Sequence, residues 1–521
     1  MRLIRALLPG LLATLLAATP ATARSPDTIT IGFGAESTTL DPVKVAAGVD
    51  MYFVSQMFEQ LLRPMPPELK TGPWLAESYT VDPNGGKAII DVRLRPGVKF
   101  HNGDALTAED FEFAFQRMGD GKYSRLPNLQ QAVDSFEIVD PLHFRLHFKE
   151  GDATYVTDYM RLFAIPKHYI LSVTPEEFER HPIGTGPWRF VSRSIKEEIR
   201  FERFPEYWNH EHAPGVKNLV IKVIPEDLTR VAAFQTGAVD LIDAVPVAQI
   251  AAVKALPGVH TATLNSGDNL YFSFDTQQPD SPFRDLRVRQ AAAHAIDIDA
   301  IIKNVLFGQG QRYTQLGPGE FGYDPDLKPL PYDPKKARQL LAEAGYPKGF
   351  DTPCYNLTTP REPNIKEMGE AAFAYLSAVG IRCHVVGLEY NAWLHTKRRW
   401  ATGKEMDGIL SDLYGHGGLP GDPDQAWSVT MHTFVPAGGW GASSFTSIPE
   451  VDSLIEAQKR EMDPAKRLLL VRQLAKIKND QLLAGITTYR PLVTFAWHDD
   501  IAFTPWAMPG FWHQMQEIKT K

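Results

Sequence analysis

Residue patterns that support catalysis are scarce in this chain. No P-loop, G-x-S-x-G or H-E-x-x-H string occurs among its 521 residues. Residues 317–322 match G-x-G-x-x-G by letters, but they neither follow a predicted strand nor open a predicted helix, and Pro325 and Pro329 come soon after them. The sequence therefore predicts no dinucleotide site and no catalytic residue.

Histidine side chains are the next candidates, because imidazole is a common metal ligand. Residues 210–212 read His-Glu-His, but they lie in a polar stretch that ends in Ala-Pro-Gly, which is typical of a solvated loop. His416 and His432 could complete the coordination of a metal chelate that the protein carries as a solute. We predict no resident metal ion and no cofactor.

Aromatic side chains are concentrated in one glycine-rich stretch. Rings on glycine-rich loops are a common way to enclose a small organic ligand, and packing of an irregular core is the alternative. These rings belong to Trp393, Trp400, Tyr414, Trp427 and Trp440, and three of residues 415–418 are glycine.

The elements that must position these residues alternate between strand and helix patterns. Residues 28–33 alternate as a strand, and residues 350–357, 366–379 and 381–388 form a strand–helix–strand unit. Two helices are predicted to begin at Asp-Pro pairs, at Asp333 and Asp463. Residues 107–110 resemble a capping box ahead of another helix, and residues 136–148 resemble a hairpin around Asp140 and Pro141. The length exceeds that of one hydrophobic core, so we expect two or three domains of mixed α/β class.

The charge of the chain limits its partners. Lys and Arg number 54 against 62 Asp and Glu, so the net charge is −8, and no block of five basic residues occurs. Nucleic acid is therefore not expected as a partner.

The first 23 residues have the order of a secretory signal peptide. Arg2 and Arg5 precede an apolar stretch at residues 6–18, and Ala-Thr-Ala follows at residues 21–23. No cysteine lies near this site and no later run of 18 apolar residues occurs. We predict cleavage near Ala23 and export of a protein that has no lipid anchor.

Export changes how the two cysteines are interpreted. Cys354 and Cys383 each begin a strand-like run, with the helix 366–378 between them. A right-handed crossover places such strands parallel and often adjacent, within reach of a disulfide. A disulfide and two buried thiols both remain open at this point.

Several longer segments resemble the family 5 extracellular solute-binding proteins, the periplasmic peptide/nickel-type receptors of ABC importers. The resemblance runs from about residue 28 to the C-terminus, with the family's segments in order. These segments are WLAES at 74–78, RPGVKFHNG at 95–103, LTAED at 106–110, PIGTGPWRF at 182–190, PEYW at 205–208, GAVDLID at 237–243, DLRVRQA at 285–291, AID at 295–297, and YDP through AGY at 332–346.

The resemblance implies an α/β, two-lobed periplasmic-binding-protein fold of type II, cluster C-like, with a hinge and an extra subdomain. By this likeness residues 24–58, 183–265 and 488–521 form the first lobe. Residues 59–182 form its extra subdomain, and residues 266–487 form the second lobe.

The resemblance also implies a function without catalysis. The protein would capture a small organic solute, a peptide or a peptide-like compound, by closing its cleft, and would deliver it as a monomer to an ABC permease in the inner membrane. A receptor for an opine, a sugar or a nickel chelate is the alternative among binding proteins. A secreted hydrolase is the alternative among enzymes.

Two cleft segments are implied by peptide-binding relatives. In those proteins the stretch that matches residues 34–38, including Glu36, Ser37 and Thr38, supplies backbone hydrogen bonds. A strand that ends in an aspartate pairs with the α-amino group of the ligand, and residues 406–412 resemble it. Asp412 is therefore the candidate for the amine, while capping of the glycine-rich loop is its alternative role.

The remaining candidates surround these segments. Arg361, in a stretch that loosely resembles the dipeptide receptors, is the candidate for a ligand carboxylate, with a surface position as its alternative. Residues 413–420 intervene where relatives have a shorter run, which argues against an ordinary dipeptide or oligopeptide as the solute. The other predicted ligand contacts are Tyr271, Tyr414, His416 and Trp427.

Overall fold

A computed structural model gives the fold of most of the chain. It describes residues 27–45, 48–65, 70–82, 87–120, 130, 132–154, 162–266, 268–358, 364–401, 407–415, 422–435, 445–483, 485–506, 515 and 518–521. The predicted signal peptide, Arg361 and His416 lie outside the described residues.

Strands occur along the whole described chain. They are β1 (Thr28–Phe33), β2 (Leu62–Met65), β3 (Lys70–Pro73), β4 (Ala76–Asp82), β5 (Ile89–Leu94), β6 (Val133–Asp140), β7 (His143–Phe148), β8 (Trp188–Ser194), β9 (Glu198–Arg203), β10 (Asn218–Val223), β11 (Leu241–Ile242), β12 (Val259–Asn265), β13 (Asp268–Phe274), β14 (Gly310–Gln311), β15 (Phe350–Leu357), β16 (Ile381–Leu388), β17 (Ile409–Gly415), β18 (Ile486–His498), β19 (Ile501–Ala502) and β20 (Lys519–Thr520).

Helices lie between these strands, and most of the long ones follow β13. They are α1 (Gly48–Met57), α2 (Ala108–Gly119), α3 (Lys167–Ser172), α4 (Pro175–Arg180), α5 (Asp227–Gln235), α6 (Ile250–Lys254), α7 (Leu286–Ala295), α8 (Ile298–Asn304), α9 (Pro334–Glu343), α10 (Ile365–Val379), α11 (Tyr390–Ala401), α12 (Asp424–Thr430), α13 (Pro449–Arg460) and α14 (Pro464–Gln481). Asp333 and Asp463 cap α9 and α14 as predicted, each with proline in the first turn. No helix in the described part of the chain is long and apolar enough to cross a membrane.

One 12-stranded sheet connects the two halves of the molecule. Its strands follow the order β16-β15-β17-β13-β18-β11-β1-β10-β9-β8, and β12 and β14 also pair with β18. The 13-residue β18 belongs to both halves. Residues 486–489 pair with β13, whereas residues 492–498 pair with β12.

The chain crosses between the two halves at two adjacent places. Strand β12 ends at Asn265 opposite Leu492, and β13 begins at Asp268 on the other side. Arg490 lies beside this crossing and is buried. Its guanidinium donates to Glu320 at 2.6 and 2.8 Å and to Asn269 at 3.0 Å. This guanidinium holds segments of the second half against the crossing.

The hydrophobic core divides at the same crossing. The largest cluster of buried apolar residues draws on β1, α1 and the strands up to β11, and then on residues from Phe495 onward. A second cluster begins at Leu270 and ends at Tyr489. Each half therefore buries its own core. The predicted lobe boundaries near residues 265 and 487 agree with this division but stay predictions.

A separate antiparallel sheet lies wholly within residues 59–182. Its order is β4-β5-β7-β6, and β6 and β7 form the hairpin predicted around Asp140. Helix α2 covers it and stacks Phe111 on Phe144, with 5.9 Å between ring centroids. The predicted capping box is present, because Thr107 and Asp110 satisfy each other's backbone amides at the start of α2.

Two charged pairs and one backbone bond join this part of the chain to the second half. Arg460 donates to Glu150 at 3.0 Å, and the amide of Ala153 donates to the carbonyl of Lys459 at 2.7 Å. The ammonium of Lys459 lies 3.7 Å from Asp152. We call these contacts of residues 150–153 with residues 459–460 the latch.

The two cysteines form a disulfide. Strands β15 and β16 are parallel neighbours with α10 as their crossover, as predicted, and Thr352 lies opposite Cys383. The Cα atoms of Cys354 and Cys383 are 5.4 Å apart and their sulfur atoms are bonded. The structure thus favours the disulfide over two buried thiols.

Loss of the disulfide should destabilise the second half. The bond between Cys354 and Cys383 closes a loop with a sequence separation of 29 residues. The chain-entropy model gives about 3–4 kcal/mol for a loop of this size. We expect dithiothreitol to lower the melting temperature of the wild-type protein and to leave that of a Cys354→Ala, Cys383→Ala double variant unchanged. Equal melting temperatures with and without dithiothreitol in the wild-type protein would contradict the bond.

Candidate ligand-binding cleft

The strands β1, β10 and β11 of the first half have their carboxyl ends at the side of the sheet nearest the crossing. Strands β10, β1 and β11 are parallel neighbours. Strand β11 is antiparallel to β18, with Leu241 opposite Trp497 and Ile242 opposite Ala496. Because the two strands are antiparallel, the carboxyl end of β11 points along β18 toward Arg490, which lies beside the crossing. The residues that follow β1 and β11 lie at the edge nearest the second half.

Strand β17 of the second half points the opposite way. It is antiparallel to β13, and its last residue, Gly415, lies opposite Asp268, the first residue of β13 after the crossing. Ligands of open α/β sheets bind outside the carboxyl ends of the strands. The carboxyl ends of β1 and β11 and that of β17 thus border one crevice, which we call the cleft.

The segment after β1 combines an open backbone with anchored side chains. Ala35 is exposed, and neither Gly34 nor Ala35 makes a backbone hydrogen bond to a described residue. Glu36 accepts hydrogen bonds from Arg193 at 2.9 and 3.2 Å. The amide of Thr38 donates to Asp50 at 2.7 Å. The segment is rigidly held yet leaves peptide groups available at its start.

Ser37 is part of the same anchoring. Its carbonyl accepts from Arg193 at 2.6 Å, and its hydroxyl donates to Asp50 at 3.2 Å. The backbone carbonyl of Ser37 is therefore already used within the protein. Ligand contacts by Glu36, Ser37 and Thr38 stay predictions.

The predicted residues of β13 and β17 are neighbours in the sheet. Tyr271 lies opposite Asp412, and Asn269 lies opposite Tyr414. Tyr271 is 6% exposed. The side chains of Asp412 and Tyr414 are outside the described part of the structure, so only their backbone positions near the cleft are established.

Two of the clustered tryptophans pack within the protein. Trp427 is fully buried in an apolar cluster with Leu316 and Met431, and its indole nitrogen donates to Gln315 at 2.7 Å. Trp393 is 2% exposed and donates to the carbonyl of Ser411 at 2.8 Å. These contacts match the alternative that the rings fill an irregular core, and a ligand contact by Trp427 stays a prediction.

His432 is also engaged within the protein. One ring nitrogen is hydrogen-bonded to the carbonyl of Thr433 at 2.8 Å, and the other lies 3.4 Å from Glu456. Over the described ranges, no group of three or more His, Cys, Asp or Glu side chains could hold a metal ion.

Asp243 is a cleft residue that the sequence analysis did not single out. It directly follows β11 and is 6% exposed. Burial raises the pKa of Asp243 to about 7, although the charge of Arg230 opposes this shift. Asp243 ends the segment at residues 237–243, directly after a short apolar run, and this position could have identified it as a site residue. The segment was interpreted only as part of the family resemblance.

Two of the quoted family segments meet around one buried carboxylate. Glu59 accepts hydrogen bonds from Trp74 at 2.6 Å, Tyr207 at 2.8 Å and Trp208 at 3.1 Å. Burial raises the pKa of Glu59, and these hydrogen bonds counteract the rise. Two segments that are about 130 residues apart in the chain are thereby joined to the end of α1.

A buried histidine joins two further family segments. The imidazole of His101 is hydrogen-bonded to the carbonyl of Gly186 at 2.9 Å and accepts from the amide of Gly184 at 3.3 Å. Burial lowers the pKa of His101 to about 4, so the ring is neutral at pH 7. A Cβ atom on Gly184 would lie 2.1 Å from the carbonyl oxygen of Met57, which explains the glycine.

These contacts explain what four of the family segments do, namely those at 74–78, 95–103, 182–190 and 205–208. They build the junction between residues 59–182 and the first half of the sheet, at a distance in sequence from the cleft segments. The model of the bacterial extracellular solute-binding proteins, family 5 Middle, matches residues 70–434. The chain belongs to family 5 of the bacterial extracellular solute-binding proteins.

Individual relatives of this family 5 protein carry different ligands in their names. It is 31% identical over 386 residues to heme-binding protein A of Haemophilus influenzae, covering 69% of this chain and 68% of that protein. It is 28% identical over 451 residues to the dipeptide-binding protein of Escherichia coli K12, covering 81% and 82%. A structure of DppA from Helicobacter pylori with the peptide STSA has a TM-score of 0.80 at 22% identity, covering 95% and 98%.

Membership settles the general role of the protein. It has the mixed α/β periplasmic-binding-protein fold and acts as a non-enzymatic solute-binding component of an ABC importer. The secreted hydrolase is excluded with it. The solute itself is not settled, because the named relatives differ in theirs.

Glu59 should matter for stability and not for solute binding. In Glu59→Gln, an amide with two N–H donors would face three side chains that are themselves donors. We expect a loss of roughly 2–4 kcal/mol in the free energy of unfolding, measured by urea denaturation. Glu211→Gln, in a loop of the same half, is the control and should change little. A normally stable Glu59→Gln protein would show that the network is not structural.

Proposed function

We propose that this protein is the periplasmic receptor for a peptide or peptide-like solute with a free ammonium group. The observation that carries the proposal is the cleft, which combines free peptide groups at Gly34 and Ala35 with strand β17. Asp412 lies within this strand, which was predicted to end at it but continues to Gly415. The mature protein begins near residue 24, works as a monomer without nucleic acid, and delivers the solute to a permease in the inner membrane.

In this proposal the binding energy comes from contacts that both lobes make with the solute when the cleft closes. Residues 24–58, 183–265 and 488–521 form the first lobe with its subdomain at 59–182, and residues 266–487 form the second lobe. The paired crossings at β12–β13 and β18 act as the hinge. The latch supports this arrangement, since residues 150–153 can meet residues 459–460 only when the subdomain and the second lobe are close together. Solute and latch would both favour the closed form.

A peptide-like solute has the broadest support among the relatives. Proteins named for dipeptides and glutathione, and structures holding the peptides STSA and Met-Leu, resemble this chain over most of its length. Other relatives support the alternatives of a heme, an opine or a nickel chelate, through their names or their bound agropinic acid and nickel with L-histidine. The extra length of residues 413–420 argues against an ordinary dipeptide or oligopeptide, but free peptide groups at Gly34 and Ala35 favour a solute that has its own peptide bonds, and we give them the greater weight.

A solute panel tests the proposal. Protein purified without denaturation is first analysed by native mass spectrometry for a retained solute. Ligand-free protein is then melted with equimolar dipeptide and tripeptide mixtures, glutathione, hemin, agropinic acid and nickel with L-histidine. We expect stabilisation by peptides or glutathione, about 2.7 kcal/mol at 100 times the dissociation constant, with the peptides recovered intact. Stabilisation by hemin, the opine or the nickel chelate alone would overturn the peptide assignment.

Asp412 is the proposed partner of the solute's ammonium group. An ammonium that loses its water on closure needs an anionic partner inside the cleft. Asp412→Asn should therefore weaken binding of the retained peptide by about 2–5 kcal/mol, measured by calorimetry, with the melting temperature of the ligand-free protein little changed.

Asp407→Asn is the matched control for this variant. Asp407 precedes the same strand at the end remote from the cleft, is exposed, and accepts a hydrogen bond from Tyr355. It should bind normally. An Asp412→Asn protein that binds normally, or that melts early without solute, would show that Asp412 caps the glycine-rich loop.

A further inference from the structure

Asp243 lies where the two faces of the first half of the sheet meet the cleft. Gly32 and Gly34 face α5, because a Cβ atom on Gly34 would lie 3.2 Å from Arg230. Phe33, which points to the opposite face, stacks on Tyr52 of α1 at 3.9 Å. Asp243 interacts electrostatically with both Arg230 and Tyr52. Its carboxylate therefore lies beyond the end of the strands, between the two helical layers and at the carboxyl edge.

The nearby arginine uses its two terminal nitrogens on other groups, and its buried Nε has no hydrogen-bond partner among the described residues. Arg230 donates to the carbonyl of Ile224 at 2.9 Å, to Asp227 at 2.7 Å and to the carbonyl of Ala244 at 3.3 Å. No cation of a described residue lies within ion-pair distance of Asp243, and no described side chain donates a hydrogen bond to it. Its own backbone amide supplies the hydrogen bond that it has.

Other buried carboxylates of the protein are matched to donors. Asp41, which is fully buried, is paired with Arg117 at 2.7 Å, and Glu59 accepts from three side chains. A buried carboxylate without a cation is costly once it is ionised, so it is rarely kept for stability. At the edge of a binding cleft, such a group is suited to a charge that arrives with the ligand.

We propose that Asp243 forms a second anionic subsite, in the first half of the cleft, which binds a cationic side chain of the solute, an ammonium or a guanidinium. The proposal rests on the proposed function, because it places the solute between the carboxyl edges of both halves. Asp412 then binds the α-ammonium from one side and Asp243 binds the second cation from the other. Solutes that contain lysine or arginine are the preferred class.

The raised pKa of Asp243 makes binding at this subsite depend on pH. The charged and titratable groups that face it are Arg230 and Asp227 of α5 and Tyr52 of α1. With a pKa raised to about 7 from an ordinary 3.8, ionisation of Asp243 destabilises the ligand-free fold as pH rises from about 4 to 7. Binding of a cation requires the ionised form, so affinity for cationic solutes should rise about tenfold from pH 6 to pH 8.

Asp243→Asn tests the subsite with two matched peptide libraries. One tripeptide library contains lysine, and the other contains Nε-acetyl-lysine, which is neutral, at the same position. We expect the wild-type protein to prefer lysine peptides by about tenfold to a hundredfold, and Asp243→Asn to lose this preference and its pH dependence while still retaining neutral peptides. Glu211→Gln, which removes an exposed carboxylate from a loop of the same half and leaves Arg230 and Asp227 in place, should keep both.

The other outcomes distinguish failure of the Asp243 subsite from failure of the proposed peptide binding. If Asp243→Asn keeps the preference for lysine peptides, or if the wild-type protein has none, the subsite is wrong while peptide binding stands. If no peptide binds, the proposed function fails, and free arginine and putrescine are then tested by melting at pH 8. Stabilisation by these cations that is lost in Asp243→Asn would keep the subsite, and equal behaviour of the two proteins would overturn it.

Discussion

A single strand shared by two hydrophobic cores is the constraint on which this structure depends. Strand β18 pairs with β13 at its start and with β12 and β11 at its end, so both halves are hydrogen-bonded to one continuous backbone. Because its partners have fixed directions, the carboxyl ends of β11 and β17 must approach the crossing from opposite sides. The cleft is a consequence of this register, and no separate element is needed to create it.

The buried charged groups of this protein are of two kinds. Some are paired and stabilise the fold, and one is left available for the solute. At the crossing, Arg490 is buried with its donors used by Glu320, Asn269 and a carbonyl group, and at the subdomain junction Glu59 faces three donors. Removing one partner from such groups leaves a buried charge uncompensated, so they resist rearrangement. Asp243 has only its own backbone amide and the charge of Arg230, which is not paired with it, and this weaker compensation, more than its burial, distinguishes it from the structural carboxylates.

Local elements could be predicted because their signals are local. The Thr107 capping box, the prolines after Asp333 and Asp463, and the hairpin at Asp140 depend on neighbouring residues, and all are present. The disulfide stayed open in the sequence, because connectivity needs the distance between two strands. The Glu59 network and the contacts of His101 could not be predicted, since their partners are far apart in the chain and come together only in the fold.

The same reasoning explains why the family segments identified the family but did not show which of their residues belong to the site. Trp74, His101, Gly184 and Tyr207 hold the subdomain junction, which receptors for different solutes can share. Recognition needs groups that the fold leaves unmatched, and a sequence does not show which groups are matched. Asp243 illustrates the point: in the run G-A-V-D-L-I-D it resembles Asp240, yet Asp240 accepts from the amide of Thr30, whereas Asp243 follows the end of β11 and pairs with no described cation. Two aspartates three residues apart thus have different roles, because only one of them has its hydrogen-bond partner in the sheet.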